Sequence, residues 1–192
     1  MFDIIIDGES TGLGKQVDRE DRLVEIGAVC LKDGKTVNTF QSYCNPGDRY
    51  FENGRAYEAL RINKIDYEQC IKKAPSDEEV ALRFKLWLSR YHPCTIYIYN
   101  RDFDMQFLTV EPWNIVEDDD VRYGPCILLH VGKYLGERGQ NVWNAKYEQW
   151  KWMKLVDAAR TLGIVVADDM AHSALYDAKL AAEVCLRSGL IE

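Results

Sequence analysis

The sequence contains no apolar run that approaches the ~20 residues of a membrane-spanning helix, so we expect no membrane contact. Its six cysteines lie far apart and form no C-x-x-C pair, which argues against a zinc knuckle and against a small disulfide scaffold. We interpret them as mostly buried, reduced thiols of a cytoplasmic protein. The first apolar segment begins at Phe2, so we expect no signal or transit peptide before it.

Positive charge is also scarce in this chain. Lys and Arg number 24 against 31 Asp and Glu, which gives a net charge of −7. A protein that binds nucleic acid non-specifically is usually basic, because neutralisation of phosphates drives its affinity. Either nucleic acid is not the partner, or metal ions supply positive charge where it is needed. Composition does not choose between the two.

The apolar pattern that is present predicts one α/β domain. The 192 residues suit a single well-buried core, and we find neither an internal repeat nor a low-complexity linker. The predicted strands are Phe2–Asp7, Leu23–Leu31, Lys35–Tyr43 and Cys94–Tyr99. The predicted helices are Asn63–Lys72, one capped by Ser76 with Val80, Phe84 and Leu88 on a stripe, one through Phe103 and Phe107, Tyr147–Leu162 and Ala174–Leu186. Glu111–Tyr123 is predicted as a loop, and Cys126–Leu135 as either strand or helix. The fold class predicted is a sheet of mixed strand directions flanked by helices, in a single domain over residues 1–192.

Two acids, Asp7 and Glu9, stand at the end of the first predicted strand. Side chains at positions i and i+2 of a strand point to the same face, so the two converge if the strand continues that far. Neighbouring carboxylates either raise one pKa or require a cation, and their hard oxygen atoms suit Mg²⁺ or Mn²⁺. An isolated D-x-E more often marks two exposed turn residues, so the pair alone does not decide.

The glycines that follow do not form a phosphate-binding P-loop. That motif has four residues between its glycines and Ser or Thr after its Lys. Five residues separate Gly8 from Gly14, and Gln16 follows Lys15. The P-loop interpretation is therefore excluded.

Two further acids lie in similar contexts. Asp104 stands at the start of a predicted helix that follows the strand CTIYIY, and Asp177 lies five residues after His172 in the first turns of the last predicted helix. Taken singly, His172 is more often a helix-entry residue than a base, and Asp177 more often a solvated acid. The other two histidines, His92 and His130, are interpreted as structural.

Together these segments resemble the DEDDh 3′–5′ exonucleases, the DnaQ-like family of bacterial proofreading subunits and RNase T-like enzymes. Residues 7–13 (DGESTGL) are similar to its D-x-E-T-T-G-L motif, residues 100–104 (NRDFD) to N-x-x-F-D, and residues 172–177 (HSALYD) to H-x-A-x-x-D. Residues 22–29 (RLVEIGAV) resemble the family's second strand. Three motifs in the family's order make the resemblance extend over nearly the whole chain.

The resemblance implies a ribonuclease-H-like fold and stepwise release of nucleoside 5′-monophosphates from a free 3′ end. It implies two divalent metal ions, Mg²⁺ or Mn²⁺. Asp7 would bridge both ions, Glu9 and Asp177 would complete the first, and Asp104 would hold the second directly or through water. His172 would be the general base that accepts the proton of the attacking water.

The family also implies a substrate-binding set: Thr11, Gly12, Leu13, Asn100 and Phe103. Gly12 would let the backbone approach the terminal nucleotide closely, and Leu13 would pack against its base. Phe103 would do the same, although a core position is equally compatible with it. Tyr99 stands where many relatives carry His, which bears on substrate preference.

The substrate expected from the resemblance is a single-stranded end, with DNA favoured over RNA because the third motif resembles the proofreading subunits. An exoribonuclease that trims RNA 3′ ends and a catalytically idle module that binds 3′ ends or a polymerase are the alternatives. A DNA polymerase is a candidate partner, and the oligomeric state stays open. Because the chain ends at Glu192, soon after the last predicted helix, we expect a stand-alone enzyme without a polymerase-binding tail.

One Trp-rich stretch, Trp143–Trp152 (WNAKYEQWKW), belongs to none of these motifs. Its three tryptophans are compatible with a platform on which bases stack and equally with core packing.

Overall fold

A computed structural model describes residues 1–14, 20–52, 54–167 and 173–192 of the chain. Within these ranges the strands are β1 (Phe2–Ser10), β2 (Leu23–Lys32), β3 (Lys35–Tyr43), β4 (Cys94–Ile98), β5 (Val121–Tyr123), β6 (Trp143–Asn144) and β7 (Gln149–Trp150). The helices are α1 (Arg55–Ile62), α2 (Asp77–Leu88), α3 (Arg101–Leu108), α4 (Ile127–Gly136), α5 (Leu155–Thr161) and α6 (Ala174–Arg187).

The main sheet has the strand order β3-β2-β1-β4-β5. β1 is antiparallel to β2 and parallel to β4. Its isoleucines alternate between two cores, because successive side chains of a strand point to opposite faces. Ile4 and Ile6 pack with α2 and α3 on one face, and Ile5 packs with α4, α5 and α6 on the other. The predicted α/β class, with mixed strand directions and helices on both faces, is confirmed.

The predicted cap of α2 is also confirmed. Ser76 Oγ accepts a hydrogen bond from the Glu79 backbone N–H at 3.2 Å, and Val80, Phe84 and Leu88 are buried on the stripe that the sequence predicted. α6 ends as predicted shortly before Gly189, which has a φ of +65° and so adopts a left-handed conformation that favours glycine.

The predicted helix Tyr147–Leu162 is wrong over its first half. β6 and β7 form a hairpin there, and a helix begins only at Leu155. The Trp150 indole lies flat against Gly136 of α4, where a Cβ would come within 2.3 Å of it. Asn141 Nδ2 donates to the carbonyls of Gly132 and Lys151, both at 3.0 Å. These tertiary contacts override the local helical pattern.

The predicted helix Asn63–Lys72 is wrong over its first part and is confirmed only as one helical turn at Tyr67–Ile71. The regular helix, α1, ends before this segment, because Lys64 has a φ of +56° and the Ile65 N–H bonds back to the Leu60 carbonyl at 2.8 Å. Residues Tyr67–Ile71 form one π-helical turn, which Asp66 caps by accepting from a backbone N–H at 2.8 Å.

Two other segments differ in detail from the sequence expectations. The predicted loop Glu111–Tyr123 ends in β5, which pairs in parallel with β4. The segment left open between strand and helix is the helix α4. All six cysteines lie within the described ranges, where each is free and all but Cys70 are buried, as predicted. Among the helices that the structure describes, none has the length and apolar character needed to cross a bilayer.

Candidate metal centre and active site

The candidate site lies at the edge of the sheet where the parallel strands β1 and β4 end. The two strands pair as far as Ile6 and Ile98, so Asp7 comes directly after the last residue of β1 that pairs with β4. The next element after β4 is α3, whose first turn carries Asp104, and the first turn of α6 carries Asp177. Three segments that are distant in sequence therefore bring their acids to one edge of the sheet.

Three of these acids form a compact cluster. β1 continues to Ser10, which keeps Asp7 and Glu9 on one face, as their spacing requires. One carboxylate oxygen from each of Asp7, Glu9 and Asp177 lies within 4.8 Å of the others. A group of hard oxygen atoms this close together matches the ligands that Mg²⁺ and Mn²⁺ prefer.

Asp104 lies beside this cluster and is buried. Its Oδ1 would be 3.8 Å from a Cβ placed at Gly8, the residue between the two acids of β1. Its charge is the largest of the carboxylate contributions that raise the pKa of Asp7. The structure therefore brings together all four acids of the three motifs.

The electrostatics of the site favour a cation. Burial, and then the charges of Asp104, Glu9 and Asp177, raise the pKa of Asp7 well above its usual value. Burial and the charge of Asp177 raise the pKa of Glu9 from 4.5 to about 8. Burial also raises the pKa of Asp104 from 3.8 to about 8. A divalent cation among these oxygens would offset both burial and mutual repulsion, so the residues present fit a metal centre.

The turn after β1 is held in place by hydrogen bonds. The Thr11 N–H donates to the Arg22 carbonyl at 2.8 Å, and Thr11 Oγ1 accepts from the Arg22 N–H at 3.0 Å. Ser10 Oγ donates to the Gly12 carbonyl at 2.6 Å. Leu13, in contrast, leaves 72% of its surface exposed, so its side chain is accessible to a ligand.

The remaining predicted site residues lie in three different places: a groove, the first core, and a segment outside the described residues. Asn100 is half-buried at the start of α3 and lines a groove together with Asp177. Phe103 packs against the first core and meets Phe107 edge-on at 5.5 Å, so the structure gives it a packing role. His172 lies outside the described residues, one position before Ser173.

The family model for exonucleases matches residues 4–185. The chain belongs to this exonuclease family. The predicted resemblance to the DnaQ-like 3′–5′ exonucleases is thereby confirmed, and with it the prediction of a hydrolytic enzyme. Exonucleases of this family depend on divalent metal ions, and the carboxylate cluster supplies ligands for one.

Individual relatives agree with this assignment. The DNA polymerase III PolC-type of Staphylococcus haemolyticus is 30% identical over 186 residues, which cover 87% of this chain but 12% of that protein. E. coli Exonuclease I in complex with a dA16 oligonucleotide superimposes with a TM-score of 0.73 and 17% identity, over 100% of this chain and 41% of that one. A full-length 3′-exonuclease gives a TM-score of 0.66 and 18% identity, over 97% and 80% of the two chains. The structural matches confirm the ribonuclease-H-like fold, and the chain spans about an eighth of the PolC relative.

Sequence reasoning missed the buried acid that lies closest to Glu9 in the sheet register. Glu25 on β2 lies directly opposite Glu9 on β1 and is fully buried. Its Oε1 accepts from Gln41 Nε2 at 2.7 Å, and its Oε2 accepts from the N–H of Ala174, the first residue of α6, at 3.3 Å. Burial raises the pKa of Glu25. An acid inside the otherwise apolar run LVEIGAVCL was the signal that could have revealed it.

A second contact fixes the same end of α6. A Cβ at Gly27 would lie 2.2 Å from the carbonyl carbon of Ala174 and from the Leu175 nitrogen, so the helix backbone rests directly on β2. Only glycine permits this approach. The contact with Gly27 and the hydrogen bond to Glu25 together set the position of Asp177, one turn further along α6.

Proposed function

We propose that this chain is a metal-dependent 3′–5′ exonuclease that releases nucleoside 5′-monophosphates from single-stranded 3′ ends, with DNA favoured over RNA. The observation that carries the proposal is the carboxylate cluster of Asp7, Glu9 and Asp177, with Asp104 beside it, at one edge of the sheet. Four acids from three separate segments lie together there. Acids that were merely solvated on a loop or a helix surface would have no reason to converge.

We propose two metal ions, Mg²⁺ or Mn²⁺, held by these four side chains. Asp7, Glu9 and Asp177 would hold one ion, and Asp7 and Asp104 the other. When bound, such a pair lowers the pKa of the attacking water and stabilises the leaving 3′-oxygen. His172 would accept the proton of that water, since its ordinary pKa near 6.5 suits a general base at neutral pH.

The turn after β1 would receive the terminal nucleotide. Its backbone is fixed by the hydrogen bonds of Ser10 and Thr11, so it is already in place before substrate arrives. Gly12 has no side chain that would block the sugar, and the exposed side chain of Leu13 offers an apolar surface to the base. Packing of this kind does not select a base, which suits an enzyme that removes nucleotides one after another.

The DNA preference is supported by the resemblance of the third motif to proofreading subunits, by the dA16 oligonucleotide in the complex of E. coli Exonuclease I, and by the polymerase relative. A DNA polymerase remains the proposed partner. An exoribonuclease is the second candidate within this class. A catalytically idle binding module is the third candidate, and the retention of all four acids argues against it. A cytoplasmic location and a domain spanning residues 1–192 stay predictions.

The test is a time course on 5′-labelled single-stranded DNA and RNA of matched sequence, with Mg²⁺, Mn²⁺ or EDTA. Asp177→Asn removes one proposed ligand, and Asp102→Asn neutralises an exposed acid of α3 as the matched control. We expect a one-nucleotide ladder from the 3′ end, lost in EDTA and in Asp177→Asn but kept in Asp102→Asn. Faster cleavage of RNA would make the chain an exoribonuclease. Intact oligonucleotides in every lane, with binding still detected by gel shift, would support the binding module instead.

A further inference from the structure

The three tryptophans of the Trp-rich stretch have different environments. Trp150 packs against Gly136 and meets Trp143 edge-on at 5.2 Å, so it holds the hairpin to α4. Trp143 and Trp152 remain 50% and 60% exposed. Core packing therefore accounts for Trp150 and leaves Trp152 with a large indole surface in solvent.

Trp152 lines a groove that is continuous with the candidate active site. The groove has a volume of about 710 Å³, and we call it the Trp152 groove after its residues Tyr99, Asn100, Trp152, Lys154 and Asp177. Asp177 belongs both to this lining and to the carboxylate cluster. The volume lies within the ~300–1,000 Å³ typical of ligand sites, so the groove has room for a nucleotide.

The segment that carries Trp152 is anchored on both sides. Tyr99 Oη, at the end of β4, donates to the Met153 carbonyl at 2.9 Å. Asn141 Nδ2 donates to the Lys151 carbonyl at 3.0 Å. The indole is thus presented next to the active site by a backbone that is fixed before any ligand binds, which reduces the entropy lost on binding.

The charges of the groove contrast with those of the whole chain. Lys64, Lys154 and Arg160 contribute three positive charges to its lining, and its acids are Asp157 and Asp177. Asp177 is also a proposed metal ligand, and Lys154, two residues after Trp152, places a positive charge in the groove of a protein of net charge −7. Positive side chains along a groove, together with an exposed aromatic ring, are the combination that proteins use to bind single-stranded nucleic acid.

We propose that the Trp152 groove binds the nucleotide on the 5′ side of the terminal one, with Trp152 stacked on its base and Lys154 near its phosphate. The terminal nucleotide is assigned to the turn at Gly12 and Leu13, which follows β1. The groove is formed instead by the end of β4 and by α4 and α5, so it is placed to receive the strand as it leaves the metal centre. This inference rests on the proposed exonuclease function and adds a second subsite to it.

The test compares a substrate that has only one nucleoside with longer ones. Thymidine 5′-(p-nitrophenyl) phosphate carries a single nucleoside, with p-nitrophenol as the leaving group in place of the next nucleoside, whereas (dT)₂ and (dT)₈ also bring a second thymine base to the groove. The variants are Trp152→Ala, Trp152→Phe and, as the matched control, Tyr147→Ala. Tyr147 lies five residues earlier, in the loop between β6 and β7, and is equally exposed at 61%, but it does not line the groove.

We expect Trp152→Ala to hydrolyse the p-nitrophenyl ester at the wild-type rate and to raise KM for both oligonucleotides roughly 5- to 100-fold, the effect of losing one base–aromatic stack. Trp152→Phe should recover most of that loss, and Tyr147→Ala should match the wild type throughout. Fluorescence anisotropy of 5′-labelled (dT)₈ with Ca²⁺ in place of Mg²⁺ or Mn²⁺ measures binding with the carboxylates neutralised and should show the same order of affinities.

Two outcomes would overturn the subsite. Unchanged KM and anisotropy in Trp152→Ala would mean that the strand leaves by another route and that the groove serves another ligand, such as a protein segment. An equal loss on the ester and on the oligonucleotides would mean that Trp152 acts by supporting the active site. Failure of the wild-type protein to hydrolyse any of the three substrates would instead refute the proposed function.

Discussion

Raising the pH should destabilise this protein in the absence of metal ions, because its clustered acids must then ionise against one another. Glu9 is the most informative of them: it is nearly fully buried, and its pKa is raised from 4.5 to about 8. Between these two values the folded protein holds a proton that the unfolded chain has released. The stability that this proton contributes is complete below pH 4.5 and is lost as the pH rises through about 8.

The magnitude follows from the two pKa values of Glu9. Their difference is about 3.5, and each pKa unit corresponds to about 1.36 kcal/mol, which gives an upper limit of about 5 kcal/mol. Water that enters the site on ionisation lowers this figure. We therefore expect the free energy of unfolding to fall by about 2–5 kcal/mol through Glu9 alone.

The assay is urea unfolding followed by tryptophan fluorescence in EDTA at pH 5.5, 7.0 and 8.5. Glu9→Gln removes one of the titrating groups and should make the dependence on pH less steep, with Asp7 and Asp104 accounting for what remains, whereas Asp102→Asn should leave it unchanged. Adding Mn²⁺ at pH 8.5 should restore stability in the wild type by stabilising the ionised carboxylates. A wild-type stability that stays level or rises between pH 5.5 and 8.5 in EDTA would refute the reasoning, as would an equal slope in Glu9→Gln.

Three other predictions concern the residues that place or assist Asp177. His172→Ala should slow cleavage roughly 10²–10⁴-fold if His172 is the general base, with the rate recovering at high pH in a pH–rate profile. Glu25→Ala should lower kcat roughly 10- to 100-fold at unchanged KM by releasing the start of α6; Glu25→Gln, whose amide oxygen still accepts from Ala174, should recover most of it. Gly27→Ala should lower both Tm and kcat, at a cost of about 1–3 kcal/mol in stability, because its Cβ would lie 2.2 Å from the α6 backbone. Thermal unfolding and initial rates measure the two effects. A normal Tm would show that the helix can shift away.

The sequence predicted those elements correctly whose signal lies in neighbouring residues. The all-apolar run of β1 and the Ser76 cap of α2 each specify their element within a few residues. The four acids were found because their motifs are short and ordered along the chain. Their convergence follows from topology, since the parallel pairing of β1 with β4 brings two of the three segments to one edge.

Sequence predicted poorly where a distant contact decides the conformation. The hairpin of β6 and β7 depends on Gly136, which lies before it and accommodates the Trp150 indole. The end of α1 depends on a positive φ at Lys64, which no preceding residue signals. Glu25 was missed for a related reason: as one acid in an apolar strand it has no evident role until the register places it opposite Glu9 and below α6.

The arrangement of charge argues for catalysis over an idle binding module. After burial, the charges of Asp104 and Asp177 raise the pKa of Asp7 and of Glu9, so the four acids held together by β1, α3 and α6 destabilise the fold unless a cation is present. A module that only bound 3′ ends would gain affinity if uncharged residues replaced these acids, because acids repel the phosphates of the bound strand. The basic residues of the Trp152 groove would already serve such a module. The acids collected at the sheet edge of a chain of net charge −7, with Lys154 in the adjoining groove, therefore support the proposed metal-dependent cleavage over the idle module.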